Sequence, residues 1–284
     1  MRLMSHLTGN GPAPLFAAGV MAAAIALSAG TQAVAGPSHQ DRGAAQSSRA
    51  AQDHADDYRT ADYRPKGSGS NTIRIMPLGD SLTFGKGDRT ENGYRRELYA
   101  WLADSGIRAD FVGSLRNGSG RDNAHEGHPG WRIDWVTRHI DEWMLKYQPQ
   151  VVLLDIGTND LLRHRAAGSP QRLAELLDRI VAADPSVRIV LAKLLVVPGP
   201  HQREFRVFNT AVARVAARYP YNVTLADMSR IPAANTVDGV HPDVLGYRQM
   251  AFQWYQGLRR VLPTGRSLPE VPNPFIADRR VRRA

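Results

Sequence analysis

The chain has no cysteine in its 284 residues. That excludes disulfide cross-links, thiolate metal centres and lipid attachment through a thiol, so any folded part must rest on an ordinary apolar core. Long apolar runs are nearly missing as well. The exception, Leu15 to Ala29, is broken only by Gly19 and Ser28, and it falls short of the roughly 20 residues that cross a bilayer. Arg2 precedes it and the small-x-small sequence Ala33-Val34-Ala35 follows. This pattern predicts an export signal at 1–35, cleaved after Ala35, hence a secreted mature protein without stable membrane insertion. A strong charge excess in the central region is also lacking. Of the formal net charge of +9, the C-terminal tail accounts for three and Arg2 for one, which leaves about +5 on the central region. So mild a surplus argues against nucleic acid as a partner.

Composition divides the rest. Residues 36–70 are small and polar, end in Gly67-Ser68-Gly69-Ser70, balance five basic against five acidic side chains, and read as a flexible spacer. Residues 262–284 are rich in proline and close on Arg279-Arg280-Val281-Arg282-Arg283, a solvated basic tail. Between them, 71–261 is long enough for a single buried core. It contains no internal repeat, and a monomer is expected.

Within that region strands and helices alternate. Thr72 to Leu78, Ala109 to Val112, Val151 to Ile156, Arg188 to Val197 and Asn222 to Leu225 are apolar or β-branched runs. The stretches from Tyr94, Ile133, Gln171, Glu204 and Val244 carry apolar residues at helical spacing. Strands apolar on both faces and separated by helices predict a parallel sheet covered on both sides: a three-layer α/β/α sandwich of five parallel strands in the order 2-1-3-4-5. The segment from Gly113 to Gly130 reads as a loop.

Three short clusters then fall at strand ends. Gly79-Asp80-Ser81 follows the first strand, Gly157-Thr158-Asn159-Asp160 the third, and Asp238-Gly239-Val240-His241-Pro242 the fifth. Ligands of open parallel sheets bind beyond the carboxyl ends of the strands, where the order reverses, so the clusters converge there. A serine hydroxyl needs a base, and imidazole titrates near neutrality. Ser81 is therefore the candidate nucleophile, His241 the base and Asp238 its orienting carboxylate. Charge growing on a carbonyl oxygen needs donors, for which the Ser81 backbone N–H, the Asn159 amide and the backbone N–H of Gly130 are the candidates. Taken singly, each cluster could equally be a turn or a helix cap.

With these residues in place, the region resembles the SGNH (GDSL-type) hydrolases, whose four blocks correspond to Ser81, Gly130, Asn159, and Asp238 with His241. The stretches Met76-Pro77-Leu78-Gly79-Asp80-Ser81, Phe111-Val112-Gly113-Ser114 and His125-Glu126-Gly127-His128-Pro129-Gly130-Trp131 are similar to carbohydrate esterase family 3. Gly113 competes with Gly130 for the second block, and the Pro-Gly-Trp context favours Gly130. The resemblance implies a flavodoxin-like fold and an acetylxylan esterase activity, removing O-acetyl groups from plant cell-wall polysaccharide without a cofactor. Asp80, His128 and Trp131 are the expected substrate contacts.

Two other enzyme chemistries and one non-enzymatic role compete. Asp122, His125, Glu126 and His128 have the residue types of a metal site, but their spacing on a glycine-rich loop defines no standard geometry, and no metal is expected. The same triad could serve a lipase or thioesterase acting on short acyl esters, although no long apolar loop offers a lid. A non-catalytic wall-binding protein would have no use for intact Ser81, Asn159, Asp238 and His241. Of the aromatic residues near these clusters, Phe84 and Trp131 suit stacking on sugars, while Tyr94 on a helical face suits the core.

Overall fold

The computed structural model describes residues 72–262 and 268–276. The predicted signal, the spacer and the arginine-rich end lie outside the described residues.

The sheet is built around β1 (Thr72–Gly79), whose last five residues are buried. Its first half pairs in parallel with β2 (Arg108–Phe111), from Thr72 opposite Arg108 to Ile75 opposite Phe111. On its other side lies β5 (Val151–Asp155), with Gly79 opposite Asp155. Beyond β5 follow β6 (Arg188–Lys193) and β7 (Val223–Asp227), all parallel. The order β2-β1-β5-β6-β7 is the predicted 2-1-3-4-5 arrangement.

Two further strands enlarge this five-stranded core to seven. The stretch read as a loop contains β3 (Leu115–Arg116) and β4 (Ala124–Gly127), antiparallel to each other. β4 also pairs in parallel with the end of β1, Leu78 opposite Glu126 and Gly79 opposite Gly127. No apolar run announces either strand. β3 has two residues, and β4 reads Ala-His-Glu-Gly yet is buried along its whole length. Its polar side chains are satisfied internally, so burial here leaves no hydrophobic signature.

The helices are α1 (Ser81–Phe84), α2 (Arg95–Asp104), α3 (Ile133–Tyr147), α4 (Thr158–Leu162), α5 (Ser169–Ala183), α6 (Gln202–Ala216) and α7 (Val244–Val261). On α3 the stripe Ile133, Val136, Ile140, Trp143, Met144 and Tyr147 is buried, the period expected of a helix lying on a sheet. α3 packs on α5 and α5 on α6, while α2 packs on α7. These two groups form the outer layers that right-handed crossovers require.

The carboxyl edge of β1 is unusually tight. A Cβ on Gly79 would lie 2.2 Å from the Asp155 carbonyl oxygen and 2.6 Å from Thr83 Oγ1. Only glycine lets β1 and β5 stay paired while α1 turns back over their ends. After Leu262 the chain reappears at Leu268 and runs along α7. Leu268 is buried, the Tyr255 hydroxyl donates to the Pro269 carbonyl at 2.9 Å, and Phe275 packs edge-on against Phe252. This part of the tail is bound to the domain, unlike the solvated tail expected from composition.

Candidate active site

Ser81 is the first residue of α1, immediately beyond β1. Asp80 caps that helix: its Oδ1 accepts from the Leu82 backbone N–H at 3.0 Å. The four-residue helix ends at Gly85, and its last carbonyls are gripped by the buried Arg95, which donates to Thr83 and Phe84 oxygens while also reaching Glu91 and Asn117. The segment carrying Ser81 is therefore fixed at both ends.

His241 arrives from a loop that closes on itself. Thr236 and Pro242 form an isolated bridge, the Val237 N–H donates to the His241 carbonyl at 2.8 Å, and the Gly239 N–H donates to Thr236 Oγ1 at 3.0 Å. Asp243 then caps α7 through the Gly246 N–H at 2.8 Å. In this setting His241 Nε2 stands 3.0 Å from Ser81 Oγ, and His241 Nδ1 stands 2.7 Å from Asp238 Oδ2. The other Asp238 oxygen accepts the backbone N–H groups of His241 and Val240 at 2.7 and 2.9 Å. Partial burial works to raise the Asp238 carboxyl, but these bonds from His241 and Val240 outweigh it and hold the group below the ordinary carboxylate range. Asp238 is thus an ionised acceptor, suited to hold an imidazole in one orientation and to stabilise its cation. Ser81 itself is 8% exposed, enough for one small reacting group to approach.

On the other flank, Asn159 is the second residue of the helical turn α4. Its amide donates to the Trp131 carbonyl at 3.0 Å and to Asp80 Oδ2 at 3.3 Å. The segment carrying Gly130 and Trp131 is stitched from both sides: the His128 N–H donates to the Gly79 carbonyl at 3.0 Å, and the Ile133 N–H to Asp160 Oδ2 at 3.0 Å. Asp160 is wholly buried, and Arg172 neutralises it through Oδ1 at 2.8 Å. Gly130 sits at φ +81°, a left-handed conformation that glycine adopts without strain. The Asn159 amide therefore ties together Asp80, the residue before Ser81, and the carbonyl of Trp131, the residue after Gly130.

The three expected substrate contacts are placed differently. Asp80 is 1% exposed and spends both oxygens on Leu82 and Asn159, so it supports the site from beneath and cannot touch a substrate. Burial drives its pKa up to about 7, against the lowering pull of the Leu82 N–H and of His241. His128 is held by Glu126 at 2.8 Å and stacks on Trp131 with ring centroids 4.0 Å apart. Trp131 is stacked in turn against His139, and its carbonyl is taken by Asn159. Both rings are half-buried, and their stack braces the Gly130 turn. Of the other two aromatic residues, Phe84 and Tyr94 are both buried in the core.

The residue types that resembled a metal site are dispersed among protein partners. Asp122 accepts the Phe111 N–H, His125 faces Asn117 and the Gly127 N–H, and Glu126 accepts from Ser114 as well as His128. No group of three or more such side chains among the described residues is arranged to hold a metal ion. Sequence reasoning missed Asp155, a buried carboxyl at the end of β5 whose Oδ2 has no partner. Burial, and then the proximity of Asp80, push it well above the carboxylate range.

A serine, an imidazole and a carboxylate aligned at the carboxyl edge of a 2-1-3-4-5 parallel sheet are the arrangement of an SGNH-type hydrolase. The chain belongs to the GDSL-like Lipase/Acylhydrolase family, whose model matches residues 78–249. It is 32% identical over 230 residues to a multidomain esterase of Ruminococcus flavefaciens, a match covering 69% of this chain; the chain spans only 29% of the length of that relative. Among solved structures, the family 3 carbohydrate esterase of Clostridium thermocellum is 32% identical with a TM-score of 0.61, covering 66% of this chain and 95% of that one. An acetyl esterase mutant solved with an acetate ion is 26% identical with a TM-score of 0.59, covering 66% and 97%. The resemblance to carbohydrate esterase family 3 thus extends over almost the whole of those solved chains.

Proposed function

We propose that this protein is an exported carbohydrate acetylesterase that removes O-acetyl groups from plant cell-wall polysaccharide such as acetylated xylan. The observation that carries the reading is the unbroken path from Ser81 Oγ through His241 to Asp238, at 3.0 and 2.7 Å. Similarity to an acetyl esterase and to a family 3 carbohydrate esterase supports acetyl and carbohydrate as the two halves of the substrate.

In this reading Ser81 Oγ attacks the acetyl carbonyl as His241 Nε2 takes its proton. The oxygen becomes an oxyanion facing the Ser81 and Gly130 backbone N–H groups and the Asn159 amide. Of the two bonds made by Asn159, the 3.3 Å contact with Asp80 is the weaker, and it is the one a substrate oxygen would replace. The tetrahedral species collapses by breaking the bond to the sugar oxygen, which leaves with the proton from His241. Water, deprotonated in turn by His241, then cleaves the acetyl-serine ester and releases acetate. Asp238 stays ionised throughout.

Purified protein should hydrolyse p-nitrophenyl acetate far faster than p-nitrophenyl octanoate and should release acetate from acetylated xylan. Preference for octanoate would favour a lipase or thioesterase instead. Absence of any ester hydrolysis would refute the enzymatic reading.

A further inference from the structure

One strongly polar group at the mouth of the site has no role in the chemistry above. Arg163 follows α4 as its C-cap, and its backbone N–H bonds the Asn159 carbonyl at 3.2 Å. Its side chain extends over the Gly130 turn: Nη2 lies 3.2 Å from the position a Cβ on Gly130 would occupy. Arg163 is exposed, and its guanidinium forms no ion pair or hydrogen bond with any other described residue.

The acidic side chains of the site segments are committed to other partners. Asp160 is committed to Arg172, Asp134 to Arg132 and Asp238 to His241. The His241 flank carries a second exposed cation, Lys86, which lies over the Phe84 ring at 5.1 Å. The next residue, Gly87, abuts His241: a Cβ there would stand 3.0 Å from His241 Cβ. Cations thus border the site on the oxyanion side and on the base side. A guanidinium presents a planar fork of donors matched to a carboxylate, and a neutral acetylated sugar would leave that fork unused.

We infer that Arg163 binds a carboxylate on the sugar chain, so that the preferred substrate is an acidic polysaccharide carrying uronic acid groups near its acetyl esters. The inference rests on the acetylesterase reading. The test uses two chemically acetylated xylans matched in acetyl content, one with uronic acid side groups and one without. KM of the unmodified protein should be about three- to tenfold lower on the acidic polymer, the effect of one charge-assisted contact at an exposed site. The ratio should fall to about one in Arg163→Gln, and also in about 0.5 M salt, where the Debye length is only a few ångströms. Because each variant serves as its own reference, loss of overall activity does not affect the ratio. A ratio of one in the unmodified protein, or an undiminished ratio in Arg163→Gln, would overturn the assignment. Acetate released by the reaction offers the same carboxylate chemistry, but it would inhibit both polymers equally and leave the ratio at one, which also overturns uronate binding. Failure to release acetate from either polymer would instead defeat the acetylesterase reading and carry this inference down with it.

Discussion

Asn159 donates its side-chain amide to Asp80, at 3.3 Å, across the gap between the ends of β5 and β1. The donor proposed for the oxyanion is therefore tied to the residue directly preceding the proposed nucleophile, and the two cannot drift apart independently. Replacing Asn159 by Ala removes both the donor and this tie. We expect kcat on p-nitrophenyl acetate to drop by roughly 10²–10³, the usual effect of losing one such donor. A change confined to KM would make Asn159 a binding residue instead.

Ser81→Ala should abolish nearly all turnover while leaving the thermal transition in place, since Oγ contributes no structural bond other than that to His241. Asp238→Asn should lower kcat by up to about 10⁴-fold, because an amide cannot hold the imidazolium as a carboxylate does. Steady-state kinetics beside circular dichroism checks both. Substantial activity in Ser81→Ala would remove the nucleophile assignment.

The two buried carboxyls make stability depend on pH in an unusual direction. Asp80 is raised from 3.8 to about 7, and Asp155 is pushed well above the ordinary carboxylate range, by burial first and then by Asp80. Each holds its proton longer in the folded chain than in the unfolded one, so the folded state binds more protons over that interval. Their contribution is fully present below about pH 4 and is lost as pH rises toward 7. Melting temperature should fall between pH 5 and 8, and Asp155→Asn should flatten that fall. An unaltered slope in the variant would show that Asp155 does not set it.

Asp160 is an internal strut. It binds the Ile133 N–H with one oxygen and Arg172 with the other, so Asp160→Ala strands a partly buried guanidinium and a helix N-terminus. A loss of about 3–5 kcal/mol is expected, in the range for breaking a buried pair from one side. Denaturant melts of Asp160→Ala against Arg172→Leu separate the strut from the charge.

Truncation after Leu262 should lower the melting temperature by several degrees. It removes the buried Leu268, the Pro269 acceptor of Tyr255 and the Phe275 contact on Phe252. Small-ester turnover per folded molecule should stay near that of the full chain, because α7 follows the His241 loop but none of these contacts reaches the site.

The parts of this architecture written as apolar periodicity were readable directly. β1, β5 and β6 are apolar on both faces, and α3 starts at Ile133, where the helical spacing of apolar residues begins. Ser81 and Asn159 stand out in the sequence because they follow the ends of β1 and β5 by two and four residues, and Asp238 and His241 because they share one short loop before α7. β3 and β4 were not legible, since burial of Glu126 depends on the Ser114 N–H and hydroxyl, twelve positions away, which only the folded chain brings to it. For the same reason Asp80 reads as a substrate contact: a polar residue beside Ser81 gives no sequence sign of facing inward, as Asp80 does. Arg163 gave no sign either. Its significance depends on Gly130, 33 positions away in the chain and adjacent in space.

The division of one flank of β1 between β2 and β4 has a consequence for behaviour in crowded surroundings. A sheet that ends in a long, straight ribbon exposes a ladder onto which another molecule can add a strand. Here the outermost ribbon beside the site is the two-residue β3, antiparallel to its neighbour and followed by a glycine-rich bend. Too few free backbone groups line up to template a partner, so the open end of the sheet nearest Ser81 resists strand-by-strand aggregation.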